Sequence, residues 1–271
     1  MTMVESDIAE RYRQYLEHFG SRRSDIWVAT FSKSGTTWMQ MILYQLTTSG
    51  DMDFDHLFDV SPWVYYAVLR GIAPASPPDP RILKTHDDYT FMATHCMGKT
   101  VYVIRDGKDV AVSWYHHRRN FQGFEGSFDH HFEEFLNAPN YNWFVHVKDW
   151  LANRLNRPVF VVKYEDLIED FDRCVAGVAN FCGLEVDGIV MARARERSTF
   201  DFMKTHEAQL GPRASHFPAA SGSPYKIKSG EFLRRGRRGE GASFLSKQQL
   251  NAYHRKFDEV LGDLEAVAEY R

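Results

Sequence analysis

Cysteine is scarce in this chain, which has only three thiols among its 271 residues: Cys96, Cys174 and Cys182. Three scattered cysteines are too few for a disulfide framework or a zinc cluster, and they suit a reducing compartment. Residues 1–10 are acidic and contain neither the basic region nor the apolar run of a secretion signal. We therefore expect a cytoplasmic protein.

Long hydrophobic runs and an excess of positive charge are also missing. No stretch approaches the roughly 20 apolar residues that a membrane helix needs, and the net charge at pH 7 is −3. These two absences predict a chain with no membrane span and no nucleic-acid partner. The composition, with 44% hydrophobic and 25% charged residues, is that of a globular protein able to bury a large core.

The apolar runs that are present are short, and they alternate with helical patterns. Strands are predicted at 26–31, 82–84, 101–104 and 159–162, and helices at 36–48, 107–119, 141–156 and 166–182. Buried strands that alternate with amphipathic helices indicate an α/β fold, in which helices cover both faces of a central, mostly parallel sheet. Because no linker divides the chain, residues 1–271 are expected to form a single domain.

A loop of small residues joins the first predicted strand to its helix. Free N–H groups of a first helical turn, the helix dipole and a lysine together make an anion site, and a glycine lets the backbone approach the ligand. The lysine precedes the only glycine by two residues, so the loop differs from the triphosphatase motif G-x-x-x-x-G-K-[ST], and the dinucleotide motif G-x-G-x-x-G is missing. It is either a phosphate loop of another kind or an ordinary strand-to-helix turn. Its residues are Lys33, Ser34, Gly35, Thr36, Thr37 and Trp38.

Two further segments could bind a second anion. Arg105 follows the third predicted strand, and Ser113 lies about two turns into the next helix. Arginine has a planar fork that suits phosphate oxygens, and serine adds a hydroxyl donor. Residues 232–240 carry four arginines separated by glycines, within a glycine-rich and basic segment at 211–241. Alternatively, Arg105 forms a surface ion pair, Ser113 is an ordinary helix residue, and 211–241 is a disordered surface segment.

A lysine and a histidine end the second predicted strand. Lys84 and His86 are two residues apart, which places both side chains on the same side of an extended chain. The histidine can accept a proton because its ordinary pKa is near neutrality, and the lysine can neutralise developing charge. The adjacent histidine pairs at 116–117 and 130–131 lack the i, i+4 spacing of a helical zinc site. We expect them on helix surfaces or behind the site, and we expect no metal.

These segments, in this order, resemble the cytosolic-type sulfotransferases, and we expect a bacterial-type member of that family. Residues 31–38 are similar to the 5′-phosphosulfate loop Y-P-K-S-G-T-T-W, with Phe31 and Ser32 in place of tyrosine and proline. Residues 102–116 are similar to V-x-R-N-P-K-D-V-x-V-S-x-Y-H, and residues 234–241 to R-K-G-x-x-G-D-W. The resemblance implies an enzyme that uses 3′-phosphoadenosine 5′-phosphosulfate, PAPS.

The resemblance also implies which residues bind this donor. The loop residues Lys33 to Trp38 would hold the 5′-phosphosulfate. Adenine would stack on Trp38 and Phe200, with Tyr164 at its polar edge. The 3′-phosphate would be held by Arg105, Ser113, Arg234, Arg235 and Gly236.

The family has K-T-H where this chain has residues 84–86, and this match implies the chemistry. His86 would be the general base for in-line displacement at sulfur, while Lys33 and Lys84 would neutralise charge on the bridging oxygen and the sulfuryl group. A P-loop-like kinase is the nearest rival, but it needs a Walker lysine and a magnesium ligand. A non-catalytic nucleotide-binding protein would need neither Lys84 nor His86.

The acceptor stays open at this stage, among alcohols, phenols, sterol-like compounds and amines. Asp87 and Asp88 follow His86 where the family has an apolar residue and a proline, and they either favour a cationic or polar acceptor or are solvated loop acids. The family's C-terminal dimer element K-x-x-x-T-V-x-x-x-E has no match around 242–251, so we do not expect that dimer, and the oligomeric state is open. Aromatic residues that could line an apolar acceptor pocket, or simply pack in the core, are Trp63, Tyr65, Tyr66, Phe91, Phe121, Phe124 and Trp143.

Overall fold

A four-stranded parallel sheet lies at the centre of the fold. The computed structural model describes residues 3–70, 75–139, 141–213 and 231–271. The order across the sheet is β2-β1-β3-β4, and every neighbouring pair is parallel. All four predicted strands are present, close to their predicted ends. They are β1 (Ile26–Thr30), β2 (Ile82–Thr85), β3 (Lys99–Ile104) and β4 (Val159–Lys163).

Helices surround the sheet. Within the ranges given above, no helix is both long enough and apolar enough to cross a membrane. The helices are α1 (Met3–Phe19), α2 (Thr36–Thr47), α3 (Leu57–Val60), α4 (Val64–Arg70), α5 (Tyr89–His95), α6 (Gly107–Phe121), α7 (Phe128–Asn137), α8 (Trp143–Ala152), α9 (Tyr164–Glu169), α10 (Phe171–Cys182), α11 (Gly188–Arg197), α12 (Phe200–Thr205), α13 (Glu207–Leu210), α14 (Glu240–Phe244) and α15 (Lys247–Leu261), with a 3₁₀ helix at Glu265–Tyr270.

Separate hydrophobic clusters bury the two faces of the sheet. Along β1, Trp27 and Ala29 belong to one cluster and Ile26 and Val28 to the other, as the two-residue period of a strand requires. The first cluster includes buried residues of α6, α7, α8 and α15, and the second includes those of α2, α10 and α11. The predicted α/β fold, with helices on both faces of a parallel sheet, is therefore confirmed.

The single helix predicted at 166–182 is wrong, because the chain forms two helices there. Asp170 ends α9, and its side chain caps α10 by accepting a hydrogen bond from the Arg173 N–H. Aspartate is favoured at an N-cap because its carboxylate satisfies N–H groups that have no partner within the helix. The apolar spacing on both sides hid this break. Of the predicted segment 211–241, residues 214–230 lie outside the described residues.

The sheet order brings the predicted site residues into a row. His86 directly follows β2, Lys33 lies in the loop after β1, Arg105 directly follows β3, and Tyr164 directly follows β4. Neighbouring strands are about 4.8 Å apart. Because β2-β1-β3-β4 is the order across the sheet, the four residues line its carboxyl edge in the sequence His86, Lys33, Arg105, Tyr164. That edge is where ligands bind in open α/β sheets.

Two glycines let C-terminal elements pack tightly on the start of α6. A Cβ at Gly241 would lie 2.3 Å from the carbonyl carbon of Lys108, and a Cβ at Gly107 would lie 2.6 Å from the Tyr253 hydroxyl. Both distances are shorter than any ordinary carbon contact. The elements that these segments resemble have tryptophan and proline at the two positions, and this chain has no room for either.

Replacing Gly241 by alanine should therefore destabilise the fold by about 1–3 kcal/mol, the usual cost of overpacking. Urea unfolding of the variant would measure the change in midpoint. Gly188→Ala is the matched control, since a Cβ there would meet nothing within 4 Å. Equal midpoints for the two variants would show that α14 can move away from α6 without cost, contrary to the argument from packing.

Candidate active site

A cavity of about 490 Å³ lies at the carboxyl edge of the sheet. A volume of this size is within the range of small-molecule and cofactor sites. Ser34 is the only predicted site residue outside its wall, and it is buried within the loop. The predicted residues in the wall are Lys33, Gly35, Thr36, Thr37, Trp38, Lys84, His86, Arg105, Ser113, Tyr164, Phe200, Arg234, Arg235 and Gly236.

The loop after β1 has the backbone of an anion site. Gly35 is the N-cap of α2 and has a left-handed φ of 104°, and a Cβ there would lie 2.8 Å from the Tyr164 ring. Glycine has no side chain to cap the helix, so the first N–H groups of α2 are available to an anion. Lys33 also has a positive φ, of 71°. The Thr36 hydroxyl lies 2.6 Å from that of Thr30.

Several buried polar atoms near the cavity lack a hydrogen-bond partner in the described part of the chain. They are the Ser34 hydroxyl, the Trp38 indole nitrogen and the Nε of Arg105. Leaving a buried donor unpaired costs about 1–3 kcal/mol. Such groups fit a phosphorylated ligand, which offers acceptor oxygens to all three kinds of donor.

Two lysines face the cavity against aromatic rings. The Nζ of Lys33 lies 4.5 Å from the centre of the Phe232 ring, and the Nζ of Lys84 lies 4.3 Å from that of Trp63. Among the described residues, no carboxylate acts on the pKa of either lysine. Burial lowers the pKa of both lysines to about 7; the Arg105 charge also lowers that of Lys33, and the Lys33 charge lowers that of Lys84.

His86 is held in one orientation by the end of β1. Its Nδ1 lies 2.9 Å from the carbonyl oxygen of Thr30, and because a carbonyl can only accept, Nδ1 carries the hydrogen. The other nitrogen, Nε2, therefore carries the lone pair. Burial, and then the charge of Lys84, lower the pKa of His86 well below its usual value, so the ring is neutral at neutral pH. A neutral imidazole with a fixed tautomer can accept a proton from a bound hydroxyl.

Asp109 holds the arginine-rich segment close to the end of β3. This residue was not predicted from the sequence. The buried carboxylate accepts hydrogen bonds from the N–H groups of Gly239, at 2.8 Å, and Gly241, at 2.6 Å. Arg105 strengthens the junction by donating to the carbonyl oxygen of Arg237 at 2.9 Å. The only sequence signal was the K-D-V run that follows Arg105, in which Asp109 looks like an ordinary first-turn acid.

Glu240 is a second residue that sequence reasoning missed. Its carboxylate accepts hydrogen bonds from the two terminal guanidinium nitrogens of Arg234. Nη1 of Arg235 lies 3.1 Å from an oxygen of the same carboxylate. The hydrogen bond from Arg234 is the main reason that the pKa of Glu240 is lowered. The two arginines that were predicted to bind a phosphate are thus held together by an internal anion.

The residues predicted to contact adenine lie at the Tyr164 end of the row of strand ends. The rings of Trp38 and Tyr164 meet edge to face at 5.2 Å, and the guanidinium of Arg105 lies 4.4 Å from the centre of the Tyr164 ring. Phe200 is 36% exposed. A Cβ at Gly236, where φ is 57°, would lie 2.4 Å from the Phe200 ring. Glycine is therefore required where the arginine-rich segment crosses Phe200.

The candidate acceptor aromatics separate into wall and core. Trp63 and Phe121 line the cavity. Trp143 is fully buried and packs on Tyr253 in the core, while the remaining candidates (Tyr65, Tyr66, Phe91 and Phe124) do not belong to the cavity wall. Sequence reasoning missed Phe58 and Phe232, which do belong to it, because an aromatic residue in the wall has no local pattern that distinguishes it from core.

Two histidine predictions need correction. His116 and His117 were expected on the helix surface or behind the site, but both line the cavity. They do so because one side of the C-terminal half of α6 faces the cavity. His131 is buried, and its Nε2 bonds the carbonyl oxygen of Ala111. The described residues contain no group of three histidine, cysteine or acidic side chains placed to hold a metal ion.

The two acids after His86 have structural partners. Asp88 is exposed and caps α5 by accepting from the N–H of Phe91 at 2.7 Å. Asp87 accepts hydrogen bonds from the Tyr12 hydroxyl at 2.7 Å and from Thr85 at 2.5 Å. Neither acid belongs to the wall of the cavity described above. Both acids therefore have partners within the protein, and their presence needs no explanation from a bound acceptor substrate.

Comparison with known proteins gives consistent matches over nearly the whole chain. Residues 23–265 match the sulfotransferase domain family. Sulfotransferase 1B1 of Canis lupus familiaris is 30% identical over 262 residues, which cover 90% of this chain and 84% of that protein. The amine sulfotransferase of Oryctolagus cuniculus is 27% identical over 279 residues, covering 97% and 87%. These relatives are mammalian, and the expected bacterial type stays a prediction.

Solved structures share the fold. Mouse sulfotransferase SULT7A1, complexed with PAP, has a TM-score of 0.72 at 20% identity, covering 98% of this chain and 93% of that chain. Retinol dehydratase, in a complex with retinol and PAP, has a TM-score of 0.73 at 21% identity, covering 94% and 86%. PAP is the nucleotide that PAPS leaves behind, 3′-phosphoadenosine 5′-phosphate.

Proposed function

Because the chain belongs to the sulfotransferase domain family, we propose that its cavity binds PAPS and transfers the sulfuryl group to a hydroxyl or amine of a small-molecule acceptor. The enzyme is a PAPS-dependent sulfotransferase. One observation supports the residue roles most strongly: a single cavity brings together the loop lysine Lys33, the arginines Arg105 and Arg234, and the pair Lys84 and His86.

The donor would lie along the row of strand ends. Its 5′-phosphosulfate would bind the first N–H groups of α2 with Lys33, Ser34, Thr36 and Thr37, and its adenine would lie between Trp38, Phe200 and Tyr164. Its 3′-phosphate would bind Arg105, Ser113 and Gly236, together with Arg234 and Arg235, which Glu240 holds close together. The unpaired buried donors of Ser34, Trp38 and Arg105 support this placement, because each one gains an acceptor.

The chemistry follows from the neutral imidazole and the two cations. Nε2 of His86 takes the proton of the acceptor hydroxyl while the acceptor oxygen forms its bond to sulfur. The bond between sulfur and the bridging oxygen breaks, and its electron pair stays on the 5′-phosphate of PAP. Lys33 and Lys84 neutralise the negative charge on that oxygen and on the sulfuryl group in the transition state.

The acceptor should have an apolar or aromatic portion. Retinol dehydratase structures contain retinol or androsterone beside PAP, and both are bulky apolar alcohols. In this chain, Trp63 and Phe58 next to Lys84 and Phe232 next to Lys33 make an apolar surface around the proposed reacting atoms. The two lysines would repel a cationic amine, so we propose a neutral hydroxyl compound as the usual acceptor.

Binding of PAP should be much tighter than binding of AMP, and it should take up protons. In the free enzyme the pKa values of Lys33 and Lys84 are about 7, and a bound phosphate raises them. Between pH 7 and the raised pKa the complex therefore holds more protons than the free enzyme, so affinity falls as pH rises through this range. Calorimetry at pH 8 in two buffers of different ionisation enthalpy should show an uptake approaching about two protons per PAP, about one from each lysine.

The same titration at pH 6 is the control, because both lysines are then protonated before PAP binds. The uptake should give way to a release, since the phosphates of free PAP, with a second pKa of about 6, lose protons on binding to cations. Equal affinities for PAP and AMP would contradict the donor assignment. An uptake that is the same at both pH values would contradict the role of the lysines while leaving the donor intact.

The cellular location and the oligomeric state are separate questions. The three cysteines are unpaired, and we propose a cytoplasmic location on the ground of their scarcity. The prediction that the family's C-terminal dimer is not formed also stands as a prediction.

A further inference from the structure

Short contacts connect His86 to the loop after β1. Nδ1 of His86 lies 3.2 Å from the hydroxyl oxygen of Thr30, in addition to its 2.9 Å contact with the carbonyl oxygen of the same residue. The Thr30 hydroxyl in turn lies 2.6 Å from that of Thr36. Thr30 is fully buried, whereas His86 and Thr36 both line the cavity. One threonine at the end of β1 therefore joins the proposed base to the proposed phosphate loop.

The direction of these hydrogen bonds follows from the histidine. Nδ1 carries the hydrogen, because the Thr30 carbonyl oxygen can only accept. The Thr30 hydroxyl accepts from the same Nδ1–H in a bifurcated arrangement. The hydrogen of the Thr30 hydroxyl is then available to the Thr36 hydroxyl, whose own hydrogen is left for an acceptor in the cavity. All the donors are thus directed from His86 toward the first turn of α2.

The residues around His86 make it a weak base. Burial, and then the charge of Lys84, lower its pKa, while the hydrogen bond to the Thr30 carbonyl oxygen raises it. A general base works best when its pKa is close to the working pH. Transfer of a proton to His86 is therefore favoured by any contact that raises its pKa in the donor complex. The titratable groups that interact with it electrostatically are Lys84 on β2, Lys33 after β1, His146 on α8 and His117 on α6.

We propose that Thr30 is a positioning residue that couples the base to the donor: Nδ1–H of His86 donates to the Thr30 hydroxyl, which donates to the Thr36 hydroxyl, which donates to an oxygen of the bound 5′-phosphate. We call this series the threonine relay. The inference rests on the proposed function, in which His86 is the base and the loop after β1 binds the 5′-phosphosulfate.

The relay strengthens the base when the donor binds. A negative oxygen that accepts from Thr36 polarises each hydroxyl in turn, since hydrogen bonds in series strengthen one another. The bond from Nδ1–H becomes stronger, and Nε2 on the other side of the ring becomes more basic. No proton moves along the relay; the acceptor proton still goes to Nε2. His86 is therefore most basic when the sulfuryl group is in place beside it.

Thr30→Val isolates the relay, because valine keeps the shape of threonine and the backbone carbonyl while removing the hydroxyl. NMR of isotope-labelled histidine gives the pKa of His86, whose signal is the one missing from His86→Asn. Saturating PAP should raise this pKa in the wild type. The rise should be smaller by about 0.5–1 pH unit in Thr30→Val, as expected for the loss of one hydrogen bond.

Turnover provides a second readout, with 2-naphthol as the acceptor probe. At pH 8 the kcat of Thr30→Val should be about 2- to 10-fold lower than that of the wild type. The difference should shrink as the pH falls, because a weaker base stays unprotonated to lower pH. A structural defect would lower kcat by the same factor at every pH. The affinity for PAP should change little, since Thr36 still faces the phosphate.

Three further variants make the result specific. Thr30→Ser keeps the hydroxyl and should restore both the pKa rise and the pH profile. Thr30→Ala also lacks the hydroxyl and should behave like Thr30→Val. Thr100→Val is the matched control, because Thr100 is a buried strand threonine near the beginning of β3, at the opposite end of the sheet. It should leave both measurements unchanged.

The NMR measurement needs no acceptor, so it decides the inference by itself. The relay is excluded if PAP leaves the pKa of His86 unchanged in the wild type, or raises it equally in the wild type and Thr30→Val. A loss of PAP affinity as large as the loss of turnover would assign Thr30 to holding the loop instead. An enzyme that does not bind PAP contradicts the proposed function, and normal turnover by His86→Ala contradicts the base, so these failures are distinguishable from that of the relay.

Discussion

Replacing His86 by alanine is expected to lower kcat by about 10²–10⁴-fold, the usual contribution of a positioned base, while PAP affinity changes little. The loss is expected to be this large because the lone pair of Nε2 is the group proposed to take the acceptor proton, whereas the proposed contacts with the nucleotide lie on neighbouring strand ends. Turnover with labelled PAPS gives kcat, and calorimetry gives the affinity for PAP.

His86→Asn sharpens this test. Asparagine can still donate to the Thr30 carbonyl oxygen, which now accepts from Nδ1 at 2.9 Å, but it has no basic nitrogen. If His86 is the base, both variants are equally slow, and added imidazole partly restores the alanine variant, in which a cavity is left. Normal turnover by either variant would mean that the base lies elsewhere, and His117 would be the next residue to replace.

Replacing Arg105 by alanine should weaken PAP by about 10- to 100-fold and leave AMP, which lacks the 3′-phosphate, much less affected. Hydrogen bonds to charged groups are each worth about 1.5–3 kcal/mol, and the guanidinium also links Lys33 to the arginine-rich segment through their carbonyl oxygens. Competition against labelled PAPS would give both dissociation constants.

Arg119→Ala is the matched control for Arg105→Ala. Arg119 is an exposed residue of α6 whose hydrogen bond is to the Tyr115 hydroxyl, and its loss should leave both nucleotides unaffected. A similar weakening of PAP and AMP in Arg105→Ala would assign this arginine to the architecture of the site. Arg105→Lys should be intermediate, because lysine keeps the charge and loses the fork.

Much of the fold could be predicted from local pattern because each strand is a short apolar run with a clear end. The four strands and the helices α2, α6 and α8 followed from the alternation of periods, whereas α1, α7, α11 and α15 were not predicted. Residue types alone left the loop around Gly35 open between a phosphate loop and an ordinary turn. The break at Asp170 could not, because an apolar period continues through it and only the cap geometry separates α9 from α10. Boundaries of this kind depend on a single side-chain hydrogen bond.

The sequence predicted the charged residues of the candidate site that lie in recognisable motifs. It did not predict the residues that hold those motifs in place. Lys33, His86 and Arg105 each follow a strand, and that position was visible in the sequence. Asp109 and Glu240 were missed because their partners are backbone N–H groups and arginines more than a hundred residues away or in an irregular segment. The aromatic wall was missed in part because core and wall residues have the same composition.

Local sequence was sufficient to predict the chemistry of each segment, since a lysine before a glycine, an arginine after a strand or a histidine beside a lysine has the same reactive groups wherever the chain places it. Their arrangement depended on long-range pairing. The order β2-β1-β3-β4 puts His86, the loop of Lys33, Arg105 and Tyr164 in one line. Packing between distant elements also brought His117 into the cavity, because burial and neighbouring charge are properties of the folded chain.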